Sequence, residues 1–264
     1  MNKVKEIIRF CLLNSIYTFK ANNADYTFLY YSISKIINPI LQLLFFYYIQ
    51  LYIRNSQDID IYIIGNLMLL SIPNSVFSLG RVLNYDRTYG TLKLIEISEK
   101  NKFLIYISRA FFYIVESFVT VLISLFFSIF ILNLKINLIL TLKLLLIILI
   151  TNFSLMGFGA FLGSFGLILR SVLMLVNTFY LILIAFSGAN YSIDSFPIII
   201  QKIVLILPLQ RGVEVAKYLY RTGKVLDVLL LKEFMLGCAF YIIGYFSFEC
   251  ISRKAKKNGN FDIY

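Results

Sequence analysis

The sequence predicts an all-α integral membrane protein with about six transmembrane helices. Of the 264 residues, 59% are hydrophobic and only 15% are charged, whereas soluble domains carry about 25% charged residues. The hydrophobic residues form long runs, and residues 144–150 are apolar at every position. A transmembrane barrel would alternate apolar and polar residues, while a helix satisfies its backbone polar groups within one segment. Lipid is therefore the expected solvent for much of this chain.

Residues 1–25 are expected to form an amphipathic helix that lies on the membrane surface. Cations and apolar side chains are interleaved there, which is the composition of an interfacial helix. A frayed basic tail is the alternative. The segment lacks an apolar core followed by a small-residue cleavage site, so we expect it to be retained. The cations are Lys3, Lys5, Arg9 and Lys20.

Six apolar segments are long enough to span a membrane, since a hydrocarbon core of about 30 Å takes roughly 20 helical residues. They lie near residues 28–53, 60–81, 103–132, 139–169, 171–190 and 228–251. The fourth and fifth are divided near Arg170, because 139–190 would be far too long for one span. We interpret residues 1–264 as a single transmembrane domain.

Lysine and arginine predict the orientation of these spans. They are concentrated at both ends of the chain and in the region 81–109, and loops rich in such residues stay in the cytoplasm. We therefore expect a multi-pass protein of the cell (plasma) membrane with both termini cytoplasmic. The long 191–227 segment also carries cations on the opposite side, but long loops count less. Arg109, near a membrane edge, is expected to snorkel.

The cytoplasmic loop 84–100 has the pattern of a short helix outside the membrane. Asn84 or Asp86 could cap it, and Glu96 stands four residues before Lys100, the favourable order for a helical ion pair. A short helix of mixed polarity suits the groove of a partner protein. A solvated loop whose cations only set the topology is equally consistent with these residues.

Residues 86–95, Asp-Arg-Thr-Tyr-Gly-Thr-Leu-Lys-Leu-Ile, resemble the charged–Gly-Thr-Leu segment of ABC type-2 transporter permeases. That family includes drug-resistance permeases and exporters of teichoic acids and O-antigens. The resemblance implies that the segment is a coupling helix that docks on an ATP-binding subunit. Lys93 stands where the family commonly has an acidic residue. The coupling residues implied are Asp86, Arg87, Gly90, Thr91, Leu92, Ile95 and Glu96.

The 191–227 segment is divided into two short helices by its breakers. Pro197 suits a first helical turn, and the apolar run 198–207 is too short to span a membrane. Pro208 ends that run, and Gly223 is a plausible stop for the second helix. This order resembles the extracytoplasmic re-entrant helices of the same family. The candidate caps are Asp194 and Ser195.

Two charges and two glycines inside the spans stand out. Burying a charge in lipid costs at least about 2.5 kcal/mol, so Lys35 and Glu116, at similar depths, are expected to pair. The pair would belong to a translocation route or a seam between permeases, or would simply join two helices. Gly159 and Gly163 have the small-xxx-small spacing that lets helices approach closely, within one subunit or at a dimer seam.

Several chemistries find no support in the sequence. There is no histidine, and Cys11, Cys238 and Cys250 form no spaced pair, so we expect no metal site and no catalytic residues. A phosphate-binding loop is also missing, since Gly223-Lys224 is followed by Val225. The chain itself is expected to hold no cofactor. ATP and magnesium would belong to a separate ATPase subunit.

The resemblance implies the permease subunit of an ATP-driven exporter that moves an amphipathic, peptide or lipid-linked substrate outward. It would join two ABC ATP-binding subunits and a second permease chain, identical or homologous, in the bilayer, and no nucleic acid is expected. A secondary transporter or channel independent of ATP is the alternative. Such proteins often contain inverted repeats, but residues 28–132 and 139–251 show no similarity. An intramembrane enzyme is disfavoured by the lack of histidine.

Overall fold

A computed structural model describes residues 2–22, 27–54, 58–98, 100–169 and 171–257. Within these ranges every regular element is helical, which confirms the predicted all-α class. The α-helices are α1 (Asn2–Asn22), α2 (Phe28–Ser32), α3 (Asn38–Arg54), α4 (Ile59–Leu69), α5 (Ile72–Thr88), α6 (Leu92–Ile97), α7 (Lys102–Ala110), α8 (Phe112–Phe130), α9 (Leu138–Ser164), α10 (Val172–Phe186), α11 (Ile198–Val204), α12 (Gln210–Thr222) and α13 (Asp227–Lys257). A π-helical turn (Ile33–Ile37) joins α2 to α3, and short 3₁₀ helices cover Phe165–Leu167 and Ile193–Ser195.

Five helical segments among the described residues are long and apolar enough to cross a membrane. Each matches a predicted span, although the second continues to Thr88 instead of ending near residue 81. Its continuation is unbroken because Gly90 is the first breaker after Arg81. The five segments are Leu29–Ile53, Ile59–Thr88, Lys102–Phe130, Leu138–Leu167 and Asp227–Ala255.

The predicted span at 171–190 corresponds to α10, which has only 15 residues. Its rise of about 22 Å is shorter than a hydrocarbon core of about 30 Å. The chain around α10 nevertheless connects the two ends of the segment Ile59–Thr88. Before α10, the carbonyl of Leu169 accepts a hydrogen bond from the side chain of Arg87. After α10, the side-chain amide of Asn190 donates a hydrogen bond of 3.1 Å to the amide oxygen of Asn66. A sixth crossing stays a prediction.

Glycines bring α9 close to α5, which belongs to the most buried of the long segments, Ile59–Thr88. A Cβ atom added to Gly159 would lie 2.6 Å from the Val76 carbonyl oxygen, and one added to Gly163 would lie 3.0 Å from Cβ of Leu79. A side chain at Gly159 would collide with the backbone of α5, and one at Gly163 would require Leu79 to shift by a few tenths of an ångström. Both glycines therefore contact another helix of the same subunit.

The short helices occupy opposite ends of the long ones. Near the start of Ile59–Thr88, Tyr220 of α12 donates a hydrogen bond of 2.5 Å to Asp60. Beyond the other end of that segment lies α6. The N-terminal helix α1 is also on the α6 side, since the Nζ atom of Lys100 lies 3.8 Å from the ring centroid of Phe10. The large apolar side chains that α1 exposes are Ile8, Leu12, Leu13, Ile16 and Tyr17.

Candidate functional site

The predicted coupling segment contains a helix of six residues, α6, that follows a turn at Gly90. Gly90 has a φ of 69° and no atom within 4 Å of an added Cβ. Its conformation, and not a close approach, therefore favours glycine. The cap prediction is wrong, because Asn84 and Asp86 lie within α5, near its end, and Thr91 precedes α6.

Asp86 instead joins α6 to the body of the protein. Its side chain is buried, and its carboxylate accepts a hydrogen bond of 2.7 Å from the Thr91 hydroxyl. The Arg109 guanidinium lies 2.5 Å from the same carboxylate and donates to Thr18 at 2.9 Å. The expected snorkelling of Arg109 is thus wrong, since its charge is neutralised inside the protein. This network connects the start of α6 to α5, α7 and α1.

The two faces of α6 have different surroundings. Leu92 is 3% exposed and packs in a cluster with Leu83 and Tyr106, and Ile95 packs against that cluster. Leu94 and Ile97 are 70% and 79% exposed. The expectation that Leu92 contacts a partner is therefore wrong for this structure, because helical geometry turns Leu92 and Ile95 inward and Leu94 and Ile97 outward.

Two further predicted coupling residues lie at the edges of this region. The Arg87 side chain donates a hydrogen bond to the carbonyl of Leu169, just before α10. The side chain of Glu96 lies outside the described part of the chain. Its pairing with Lys100 therefore stays a prediction, although the helix expected to carry both residues ends at Ile97 and Ser98 has an extended backbone.

Lys35 and Glu116 are brought together inside the protein. The Nζ atom of Lys35 lies 3.1 Å from Oε2 of Glu116, with 14% and 4% of the two side chains exposed. Tyr31 donates to the other carboxylate oxygen at 3.0 Å, and Lys35 donates to the Asn74 amide oxygen at 2.9 Å. Lys35 stands in the π-helical turn, a feature often found at functional sites. The pair joins the first long segment to α5 and α8.

At the opposite end, a buried carboxylate holds the start of α12. Glu233 of α13 is fully buried and accepts a hydrogen bond of 2.8 Å from the backbone N–H of Leu209, while Arg211 lies 3.8 Å away. Leu209 has a φ of 88°, which is rare for a residue with a side chain. Glu233 is not among the residues predicted from the sequence, although a carboxylate within the predicted span 228–251 marks it.

The ends of α11 and α12 agree only in part with the breakers predicted from the sequence. Gly223 ends α12 with a φ of 73°, as predicted. The cap prediction for α11 is wrong, because Pro197 itself precedes the helix and Ser192 caps the preceding 3₁₀ turn instead. Burial, followed by the hydrogen bond to Asp60, raises the pKa of the Tyr220 phenol.

The described residues contain no group of three or more side chains that could hold a metal ion. What they present is a short helix, supported from behind by an ion pair, at one end of a bundle of long apolar helices. This arrangement defines a multi-pass helical membrane protein.

The family of this chain follows from its similarity to a known protein family. Residues 24–220 match the ABC-2 type transporter family, which is well over half of the chain, so the chain belongs to that family. It is the permease subunit of an ABC transporter, and permeases of this family work with ABC ATP-binding subunits. A search of curated proteins finds no match to the chain.

Proposed function

We propose that this permease serves an exporter in which a separate ATPase subunit drives outward movement of an amphipathic, peptide or lipid-linked substrate. Two ABC ATP-binding subunits and a second permease chain, identical or homologous, would complete the transporter. ATP and magnesium would be bound by the ATP-binding subunits, because this chain contains no phosphate-binding loop.

The observation that carries the proposal is the supported helix α6. A helix of six residues is unstable by itself, since helices shorter than about 12 residues are marginal in water. Here the buried Leu92 and the hydrogen bond between Thr91 and Asp86 hold it in place. A displacement of α6 would therefore be transmitted to α5 and α7, as coupling requires.

The outer face of α6 suits an apolar contact. Leu94 and Ile97 are exposed on a helix that lies outside the long apolar segments. Fully burying an aliphatic side chain stabilises a complex by about 1.5–3 kcal/mol. These two residues replace Leu92 and Ile95 as the proposed contacts to the ATP-binding subunit. Arg87 and Glu96 would orient the contact.

Cationic side chains support a cytoplasmic position for α6. Lys100, Lys102 and Arg253 line a common groove at this end of the bundle. Positively charged residues next to short loops favour the cytoplasmic side. Both termini would then lie in the cytoplasm, where ATP is available to the partner subunit.

Photo-crosslinking in cells tests this proposal. A photo-reactive amino acid at position 94 or 97 should form an adduct with a protein whose peptides contain a phosphate-binding loop, as identified by mass spectrometry. The same amino acid at position 198 or 199, equally exposed on α11, is the matched control and should not. A secondary transporter or channel would give no ATPase adduct from either helix.

A further inference from the structure

A cavity of about 500 Å³ lies at the end of the bundle opposite α6. It is enclosed by α11, by α12 and by the loop that follows α10, and Tyr62 of α4 contributes to its wall. The coupling surface and the Lys35–Glu116 pair contribute nothing to this cavity. The cavity is therefore distinct from both of those features.

The cavity wall carries charges of both signs. Glu214, Lys217 and Arg221 follow one another along one face of α12, at spacings of three and four residues. Asp194 faces them from the loop. Such a wall favours a ligand that itself carries both a positive and a negative group.

Gln210 fixes the position of the Glu214 carboxylate in the cavity wall. Its side chain is only 6% exposed and lines the cavity, and its Nε2 atom donates to Oε2 of Glu214 at 2.9 Å. That bond fixes the amide orientation, because a carboxylate only accepts hydrogen bonds. The buried Oε1 atom then has no donor among the described residues. That atom has no surface open to the cavity, so the group that Gln210 presents there is the carboxylate that it orients, Glu214.

The two cations of the wall differ in their freedom. Lys217 donates to the carbonyl oxygens of Gly188 and Ala189, both at 2.6 Å, and its Nζ atom lies 4.9 Å from the Tyr62 ring centroid. Its charge is therefore fixed in position. Arg221 is exposed and forms no hydrogen bond or ion pair with the described part of the chain. Its guanidinium is free to bind an anionic group.

An apolar helix face adjoins the charged cavity. Gln201 of α11 and Leu205, which follows that helix, line the cavity. Other residues of α11 and of the turn after it are aliphatic and exposed. A charged pocket beside an apolar surface suits a molecule with a polar head and hydrocarbon chains. The exposed residues are Ile198, Ile199, Ile203 and Ile206.

We propose that this cavity binds a compact zwitterion of the phosphoethanolamine class. The ammonium would donate to Glu214, and the phosphate would accept from Lys217 and Arg221. Residues three apart on a helix have Cβ atoms about 5–6 Å apart, which suits groups joined by a single two-carbon bridge. The same chemistry occurs in the head group of phosphatidylethanolamine and in soluble phosphoethanolamine. The proposal is independent of any ATP-binding partner.

Native mass spectrometry of the purified full-length permease tests the proposal. The protein in detergent is titrated with phosphatidylethanolamine, phosphatidylcholine or phosphatidylglycerol, and the retained lipid is measured. Phosphatidylethanolamine should be retained about tenfold more tightly than either of the others, since charge-assisted hydrogen bonds are the strong ones. The trimethylated ammonium of phosphatidylcholine cannot donate, and phosphatidylglycerol has no ammonium.

Two pairs of variants locate the binding. Glu214→Gln should abolish the preference for phosphatidylethanolamine over phosphatidylglycerol, and Arg221→Gln should weaken both about equally. The controls are Asp227→Asn and Lys224→Gln, which alter exposed charges nearby that do not line the cavity. Because all four residues are exposed, the variants should fold, and the controls should retain lipid as the unmodified protein does.

Competition with soluble phosphoethanolamine separates the two sources. Displacement of the lipid would show that the free zwitterion is also accepted, whereas no displacement would assign the site to the lipid alone. Equal retention of the three lipids would overturn the proposal. So would a preference for phosphatidylethanolamine that survives Glu214→Gln. Neither result depends on ATP hydrolysis or on the coupling role of α6.

Discussion

The guanidinium of Arg109 lies 2.5 Å from the carboxylate of Asp86 and joins the last turn of α5 to α7 directly behind α6. Asp86 also accepts a hydrogen bond from Thr91, one residue before α6. The orientation of a six-residue surface helix thus depends on a buried ion pair. The pair is the structural basis for the fixed position of α6.

Removal of one member of this pair should destabilise the protein. Asp86→Asn leaves the Arg109 charge largely buried without a carboxylate, and such uncompensated charges cost about 3–5 kcal/mol. The double variant Asp86→Asn, Arg109→Gln should have a higher unfolding midpoint than Asp86→Asn alone, because no unpaired charge is left buried. The measurement is the thermal unfolding midpoint of the purified permease in detergent.

An exposed ion pair provides the control. Arg253 and Glu249 lie 3.7 Å apart with 80% and 36% of their side chains exposed. Exposed pairs contribute about 0–1 kcal/mol, so Glu249→Gln should leave the midpoint nearly unchanged. If Asp86→Asn and Glu249→Gln lowered the unfolding midpoint equally, the buried pair would contribute no more to stability than an exposed one.

The Lys35–Glu116 pair should behave as a unit. Glu116→Gln alone leaves the Lys35 ammonium buried, so it should reduce stability or transport more than the double change Lys35→Met, Glu116→Gln. A double-mutant cycle on unfolding midpoints measures the coupling between the two positions. Additive effects would be incompatible with the 3.1 Å contact.

The packing of α9 on α5 predicts opposite effects at two glycines. Gly159→Ala should cost about 1–3 kcal/mol, because its methyl group would meet the Val76 backbone at 2.6 Å. Gly80→Ala is the matched control, since its methyl group would find Val176 at an ordinary 3.4 Å. That change should be neutral or stabilise α5 by up to about 1 kcal/mol. Comparing the two unfolding midpoints tests the close helix approach, and a stable Gly159→Ala protein would refute it.

Features that depend on local sequence could be predicted. Long apolar runs gave five of the spans, because length and hydropathy are properties of one segment. The stop at Gly223 followed from the freedom of glycine at positive φ. Lys35 and Glu116 could be paired because a lone charge in lipid is costly and both were placed at similar depths.

The orientation of α6 depends on packing and could not be predicted. Apolar side chains occur on both faces of this helix, so the sequence did not show which face is buried. They are Leu92 and Ile95 on one face and Leu94 and Ile97 on the other. The role of Asp86 was hidden for a similar reason. Its partner Arg109 is 23 residues away, on a helix whose position relative to α5 is set by tertiary contacts.

The coupling role of α6 is tested most directly by recovering the ATP-binding subunit with the permease variant Leu94→Asp, Ile97→Asp. Because both side chains are exposed, this variant should fold and keep the unfolding midpoint of the unmodified protein. The recovered ATP-binding subunit should fall about tenfold or more, since the apolar contact of two aliphatic side chains is lost. The control variant Ile198→Asp, Ile199→Asp, on α11 at the opposite end, should recover the subunit in full. Full recovery with the Leu94→Asp, Ile97→Asp permease would contradict the account.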